Sequence, residues 1–144
     1  MEWAALIAWI VTAGGGFVLL SIWLARGGMR QGREQPGLRI RPILILSHFL
    51  LAATGLVIWI VYVFSDTESL AWVAFVLLLV VAALGFAMFA IWYQRRQRGV
   101  VGEAVDPLRP AEQHFPVPIV GLHGLLAVTT LALVFLTAIG VGGS

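Results

Sequence analysis

Four long apolar runs alternate with short polar segments along the chain. Each run is free of charged residues and has about the 20 residues that a helix needs to cross a bilayer. The runs cover residues 3–25, 42–64, 70–93 and 117–140. Membrane-spanning strands would be about half as long and would alternate in polarity, whereas these runs are apolar on every face. The pattern predicts an all-α integral membrane protein, a single membrane domain (1–144) in which four transmembrane helices form a bundle.

The composition excludes the main classes of soluble protein. Of the 144 residues, 60% are hydrophobic and only 11% are charged, whereas soluble domains carry about 25% charge. The chain has no cysteine, which excludes a disulfide-stapled scaffold. No nucleophile–base set or glycine-rich phosphate loop is evident, which disfavours an enzyme with substrate chemistry of its own. The expected surroundings are the lipid bilayer.

The basic residues predict the orientation. All nine are arginine, and they lie in two segments, 26–41 and 95–109, which follow the first and third runs. By the positive-inside rule both segments are cytoplasmic and both termini are outside. The net charge of +2 is explained by arginines next to anionic headgroups, so no nucleic-acid partner is expected. Arginine-only, Ala-, Gly- and Val-rich usage is typical of a GC-rich bacterial genome, which predicts the bacterial plasma (inner) membrane.

Two sequence patterns each occur twice. Residues 16–26 and 85–95 share G-F-x4-I-W-x2-R, and residues 48–56 and 123–131 share H-x-L-L-A-x-T-x-L. Leu and Ala matches arise by chance in apolar sequence, but the matched His, Trp, Arg and Thr are scarce here. We interpret the patterns as a duplicated two-helix unit, residues 1–69 and 70–144. Both units have the same topology, so they are predicted to be parallel repeats about an axis along the membrane normal.

The repeated histidines are the candidate site. His48 follows Pro42 by six residues and His123 follows Pro118 by five, which predicts one shared depth, about 7–9 Å from the cytoplasmic start of each helix. Small residues follow on the same helix faces, so both side chains are expected to point inward. An ionisable residue at this depth marks a functional site by default. The alternative is that each imidazole only donates a hydrogen bond to a neighbouring helix.

A haem fits two histidines better than a bare metal ion does. Zinc prefers four ligands, commonly including thiolate or carboxylate, and no span contains Cys, Asp or Glu. A haem needs only axial ligands, for which histidine is common. We therefore expect the two histidines to bind the iron of one haem b, with Gly55 and Gly124 leaving room for the ring. Arg26 and Arg95 are candidates for its propionates, or else they only anchor the helices at the headgroups.

This layout resembles, in architecture only, the small membrane-bound b-type cytochromes that hold a bis-histidine haem in a four-helix bundle. The resemblance implies electron transfer, with quinone or a larger respiratory or membrane complex as partner. One alternative is a structural or assembly subunit without a cofactor, whose histidines only bond helices. A third is a small transporter or channel, which the lack of charged residues inside the spans disfavours.

Three further residues stand near the predicted ends of spans. Trp23 and Trp92 are expected at the membrane interface, which indole rings prefer. His114 has no histidine counterpart in the first repeat and is expected to be an interfacial surface residue, with a propionate contact, a quinone contact or a role as an alternative ligand as the other readings. It belongs to the segment Gly99–Pro116, which we interpret as an ordered or draped cytoplasmic loop.

Overall fold

The computed structural model describes residues 1–30, 40–99 and 110–141, and this part of the chain is all-helical. Its long helices are α1 (Glu2–Ala25), α2 (Pro42–Ser65), α3 (Glu68–Gly99) and α4 (Val117–Ala138), with a 3₁₀ turn at Ala111–His114. All four are long and apolar enough to cross a membrane. The prediction of an all-α protein with four transmembrane helices is therefore confirmed.

Local sequence accounts for the helix ends. Proline lies in the first turns of α2 and α4, where its missing N–H has no helical partner to lose. Asp66 ends α2 in the left-handed conformation, with φ of 55°, and turns the chain directly into α3. The third helix continues past Tyr93 to Gly99, beyond the predicted end of the apolar run, because Gln and Arg are good helix formers.

The four helices form a ring in which consecutive helices are antiparallel. Helix α1 packs against α2 and α4, and α3 packs against the same two helices, while neither diagonal pair makes backbone contact within the described residues. One end of the bundle, here called the arginine end, carries Arg26, Arg41 and Arg95; the opposite end carries Glu2 and Glu68. Large apolar side chains such as Ile43, Phe64 and Phe86 are exposed around the outside, as lipid contact requires.

The tightest packing lies toward the opposite end. Trp59 is fully buried between Trp9 and Tyr62, with ring centroids at 6.4 and 4.8 Å. The indole N–H of Trp59 donates to the carbonyl oxygen of Glu2 at 3.3 Å, which ties α2 to the start of α1. Fully buried alanines on α1 and α3 allow the helices to approach closely here.

At the arginine end, the 3₁₀ turn folds back onto α1 and α3. Glu112 is only 3% exposed, and its Oε1 accepts the backbone N–H of Ile40 at 3.3 Å. The described end of the predicted loop Gly99–Pro116 is therefore packed against the bundle. Residues 100–109 of that loop, with Arg109, lie outside the described residues, as do Arg33 and Arg39.

Candidate functional site

The two repeated histidines meet in the middle of the bundle. His48 comes from α2 and His123 from α4, the helices of one diagonal. Their ring centroids are 6.3 Å apart and the ring planes are inclined by 65°. Helices α2 and α4 make no backbone contact of their own in the described part of the chain, so the two imidazoles approach each other across this diagonal.

Each imidazole is held by a backbone carbonyl of a neighbouring helix. Nδ1 of His48 lies 3.0 Å from the carbonyl oxygen of Val81 on α3, and Nδ1 of His123 lies 2.9 Å from that of Thr12 on α1. A carbonyl oxygen only accepts hydrogen bonds, so each Nδ1 carries the proton and donates. In the neutral ring Nε2 then keeps its lone pair, and neither Nε2 is hydrogen-bonded within the described residues.

Glycines on the same neighbouring helices leave room for the rings. A Cβ on Gly85 would lie 3.2 Å from Cε1 of His48, and a Cβ on Gly16 would lie 3.2 Å from Cε1 of His123. Contacts this short require a neighbour to move. A side chain at either glycine would therefore press on the imidazole beside it.

The contacts on the two sides involve matching sequence positions. Each glycine follows the residue that supplies the carbonyl by four positions, Thr12 to Gly16 and Val81 to Gly85. Gly16 and Gly85 are also the first residues of the two copies of G-F-x4-I-W-x2-R. Carbonyl, glycine and imidazole thus form the same three-part arrangement twice.

The two sides differ toward the opposite end of the bundle. There the hydroxyls of Thr12 and Thr130 are 3.0 Å apart in a buried hydrogen bond. By the spacing of the repeated patterns, Val81 corresponds to Thr12 and Gly55 corresponds to Thr130. A Cβ on Gly55 would lie 3.1 Å from the Trp9 ring, so this side is filled by an aromatic ring instead of a polar pair.

The other predicted site residues are Gly55, Gly124, Arg26 and Arg95, and neither glycine has a histidine atom among the nearest neighbours of its Cβ position. The atoms nearest to a Cβ on Gly55 belong to Trp9 and Leu77, and a Cβ on Gly124 would meet nothing within 4 Å. Arg26 is exposed just after the end of α1, and Arg95 is half-buried on α3. Each arginine follows the glycine of its pattern by ten residues (16 to 26, 85 to 95), a helical rise of about 15 Å.

The tryptophans of the repeated pattern are buried by protein. Trp23 is 1% exposed and Trp92 is 4% exposed, so both lie near the predicted span ends without facing the headgroups. Gly28 packs against the Trp23 indole so closely that a Cβ there would overlap it. His114 lies in the 3₁₀ turn, half-buried as a residue and with its Nδ1 buried, and its position at the membrane interface stays a prediction.

The arrangement offers two neutral imidazole nitrogens and no further protein ligand. No group of three or more His, Cys, Asp or Glu side chains able to hold a metal occurs in the described ranges. Two imidazoles that bind one ion from opposite sides, at about 2.0–2.1 Å each, have ring centroids about 6 Å apart, which the observed 6.3 Å matches. The donor set therefore fits a metal whose other ligands come from a macrocycle.

Comparison with known proteins gives no match. No family model, no curated protein sequence and no solved structure is significantly similar to this chain. The function is therefore argued from the geometry of the histidine pair.

Sequence reasoning missed the glycines and carbonyls that hold the rings. Gly16 and Gly85 begin the repeated pattern G-F-x4-I-W-x2-R, which was a usable signal. Gly55 and Gly124 lie on the histidine helices, whereas the glycines that contact the rings lie on the neighbouring helices. Contacts between helices do not follow from the sequence of one helix alone.

Proposed function

We propose that the protein is a small b-type cytochrome of the membrane, in which His48 and His123 are the axial ligands of one haem. Quinone or a larger membrane complex would be its electron partner. The observation that carries the proposal is the pair of half-buried imidazoles with ring centroids 6.3 Å apart, each with Nδ1 bonded to a backbone carbonyl. A hydrogen bond of this kind, donated by the ring nitrogen that does not bind the metal, typically fixes the tautomer and orientation of a metal-binding histidine.

When bound, the haem supplies one-electron redox chemistry, and the chain supplies its environment. The carbonyls of Val81 and Thr12 hold the two imidazoles with Nε2 free to bind iron. Gly16 and Gly85 leave space beside each ring. The surrounding helices are apolar, which favours histidine over solvent as the axial ligand.

The proposal includes the orientation and origin of the bundle. With the arginine end in the cytoplasm and both termini outside, the histidines lie on the cytoplasmic side of the membrane. The matching positions of Thr12, Gly16 and His123 against Val81, Gly85 and His48 support a duplicated two-helix unit with a two-fold axis along the membrane normal. Residues 1–69 and 70–144 are the proposed repeats, and the arginine-only composition favours a bacterial inner membrane.

The same contacts also favour a second candidate. Through their Nδ1 bonds, His48 ties α2 to α3 and His123 ties α4 to α1. In a structural or assembly subunit without a cofactor these bonds would be the whole role of the two histidines. Each would then be worth about 0.6–2 kcal/mol, and the protein would be colourless.

Absorption spectra of the purified protein separate the two candidates. After expression with sufficient haem, we expect a Soret band and a b-type spectrum on reduction. His48→Ala and His123→Ala should each lower bound haem by more than about tenfold. Loss of a group that only hydrogen-bonds to a metal ligand typically costs 10–100-fold in metal affinity, and loss of the ligand itself should cost at least as much.

Thr54→Ala and Thr129→Ala are matched controls. Each threonine lies six residues beyond a histidine (48 to 54, 123 to 129), is exposed, and donates its hydroxyl hydrogen bond within its own helix. Both controls should keep the spectrum. A colourless wild-type protein would contradict the cytochrome proposal and leave the structural subunit.

A further inference from the structure

Three buried side-chain nitrogens at the arginine end have no hydrogen-bond partner among the residues that the structure describes. They are Nε1 of Trp92, Nε2 of Gln113 and Nδ1 of His114, and in the described part of the chain no other buried side-chain nitrogen or oxygen shares this condition. Trp92 lies on α3, and the other two lie in the 3₁₀ turn, which contacts α3. The unsatisfied groups are therefore confined to two adjacent elements.

All three nitrogens can donate a hydrogen bond, so what they lack is an acceptor. The indole and amide nitrogens only donate, and Nδ1 of histidine donates in one of its two tautomers. A buried polar group left unpaired costs about 1–3 kcal/mol, and such groups in native structures call for an explanation such as an absent water or ligand. Three donors in adjacent elements favour a ligand with several acceptor oxygens.

The local charge favours an anion. The guanidinium of Arg96 lies 5.6 Å from the centroid of the Trp92 ring, and Arg95 precedes it on α3. The neighbouring acid, Glu112, has Oε1 bonded to the backbone N–H of Ile40. A carboxylate or phosphate bound at Nε1 of Trp92 would thus lie near the positive charge of Arg96.

The depth of the donors relates them to the histidine pair. Trp92 follows Gly85, the residue beside the His48 ring, by seven positions on α3, a rise of about 10 Å toward the arginine end. The donors therefore lie between the level of the imidazoles and the outer surface of this end. This is the side at which charged groups of a ligand held by the histidines would reach the interface.

We infer that Trp92, Gln113 and His114 bind an anionic oxygen group, the propionate carboxylates of the haem held by His48 and His123. This inference rests on the proposed function. It assigns the propionates to buried donors, with Arg95 and Arg96 supplying charge nearby, and leaves the exposed Arg26 as a topology anchor. The other source of the same chemistry is the phosphate of a lipid headgroup.

The test compares haem with haem dimethyl ester, which has no propionate charge. Apoprotein in detergent is titrated with each, and binding is followed at the Soret band. The variants are Trp92→Phe and His114→Ala, and the control is Trp72→Phe, an exposed tryptophan at the other end of the same helix.

Wild type and Trp72→Phe should bind haem more tightly than the ester. Trp92→Phe and His114→Ala should each weaken haem binding by roughly tenfold, the effect of losing one hydrogen bond to a charged group, and should leave ester binding unchanged. Unchanged ester binding also shows that the variants fold.

Other outcomes overturn the inference in distinguishable ways. The inference fails if either variant weakens the binding of haem and of the ester equally, or if neither variant changes the binding of haem. In both cases the cytochrome proposal stands as long as His48→Ala abolishes the binding of haem and of the ester. If wild type binds neither haem nor ester, both fail. A phospholipid that native mass spectrometry then finds on wild type and not on Trp92→Phe would assign the donors to a lipid phosphate instead.

Discussion

Two contacts at each imidazole determine which nitrogen is free and where the ring lies. The Nδ1 hydrogen bond to a carbonyl settles the tautomer, and the glycine beside Cε1 settles how closely the neighbouring helix approaches. The second contact depends on a hydrogen atom in place of a side chain. Substitution at Gly16 or Gly85 therefore tests the geometry of the site while both histidines stay in place.

We expect Gly16→Ala and Gly85→Ala to displace the adjacent imidazole, because the new methyl group would lie 3.2 Å from Cε1. Bound haem should remain detectable, with affinity lowered by about 10-fold and a changed low-spin electron paramagnetic resonance signal. Gly14→Ala is the matched control, since a Cβ at Gly14 meets nothing within 4 Å. If Gly16→Ala and Gly85→Ala give the same signal as wild type and Gly14→Ala, the glycines do not position the ligands.

At the scale of the elements, the 3₁₀ turn joins the start of α2 to the ends of α1 and α3. Its link to α2 is the hydrogen bond from the N–H of Ile40 to the buried carboxylate of Glu112. Ile40 directly precedes Arg41, the residue that caps α2, so its N–H has no partner in that helix. A single acceptor thus fixes the position at which the chain enters α2.

Replacing Glu112 should loosen this entry. We expect Glu112→Ala to leave the Ile40 amide without its acceptor and to lower the free energy of unfolding by about 1–3 kcal/mol, the cost of a buried donor left unpaired. Glu112→Gln should be close to wild type, because its amide oxygen still accepts. Amide hydrogen exchange at Ile40 measures the effect, and equal exchange in the alanine and glutamine variants would contradict it.

On the scale of the whole molecule, the histidine pair spans the diagonal between α2 and α4, and the carbonyl contacts extend it to α3 and α1. All four helices therefore meet at one level. The same ring of helices separates two chemically different ends, one with the arginines and the buried nitrogens, the other with Glu2, Asp66 and Glu68.

The proposed orientation can be tested with single cysteines, since the chain has none of its own. Thr67→Cys and Gln97→Cys place a thiol at exposed positions on opposite ends of the bundle. A membrane-impermeant maleimide added to intact cells should label the first and spare the second, because the proposed orientation places the arginine end in the cytoplasm. The reverse labelling pattern would contradict the proposed topology.

The four long helices of the described residues, and most of their ends, could be predicted from hydropathy alone. The length of an apolar run is a local property, and the cost of burying charge in lipid acts on each run separately. The bounds of α1, α2 and α4 therefore agree with the runs to within about two residues, whereas α3 extends into polar sequence, where helix propensity and not hydropathy sets the end.

The contacts of each side chain depend on how the helices pack against each other. The repeated histidines could be found from the sequence, but their carbonyl partners, the glycines beside them and the buried Trp92 depend on how four helices are rotated against each other. All four helices are apolar around most of their surface, so hydropathy says little about which face points inward. The 3₁₀ turn and its Glu112 contact likewise join residues 72 positions apart, a relation that no local pattern encodes.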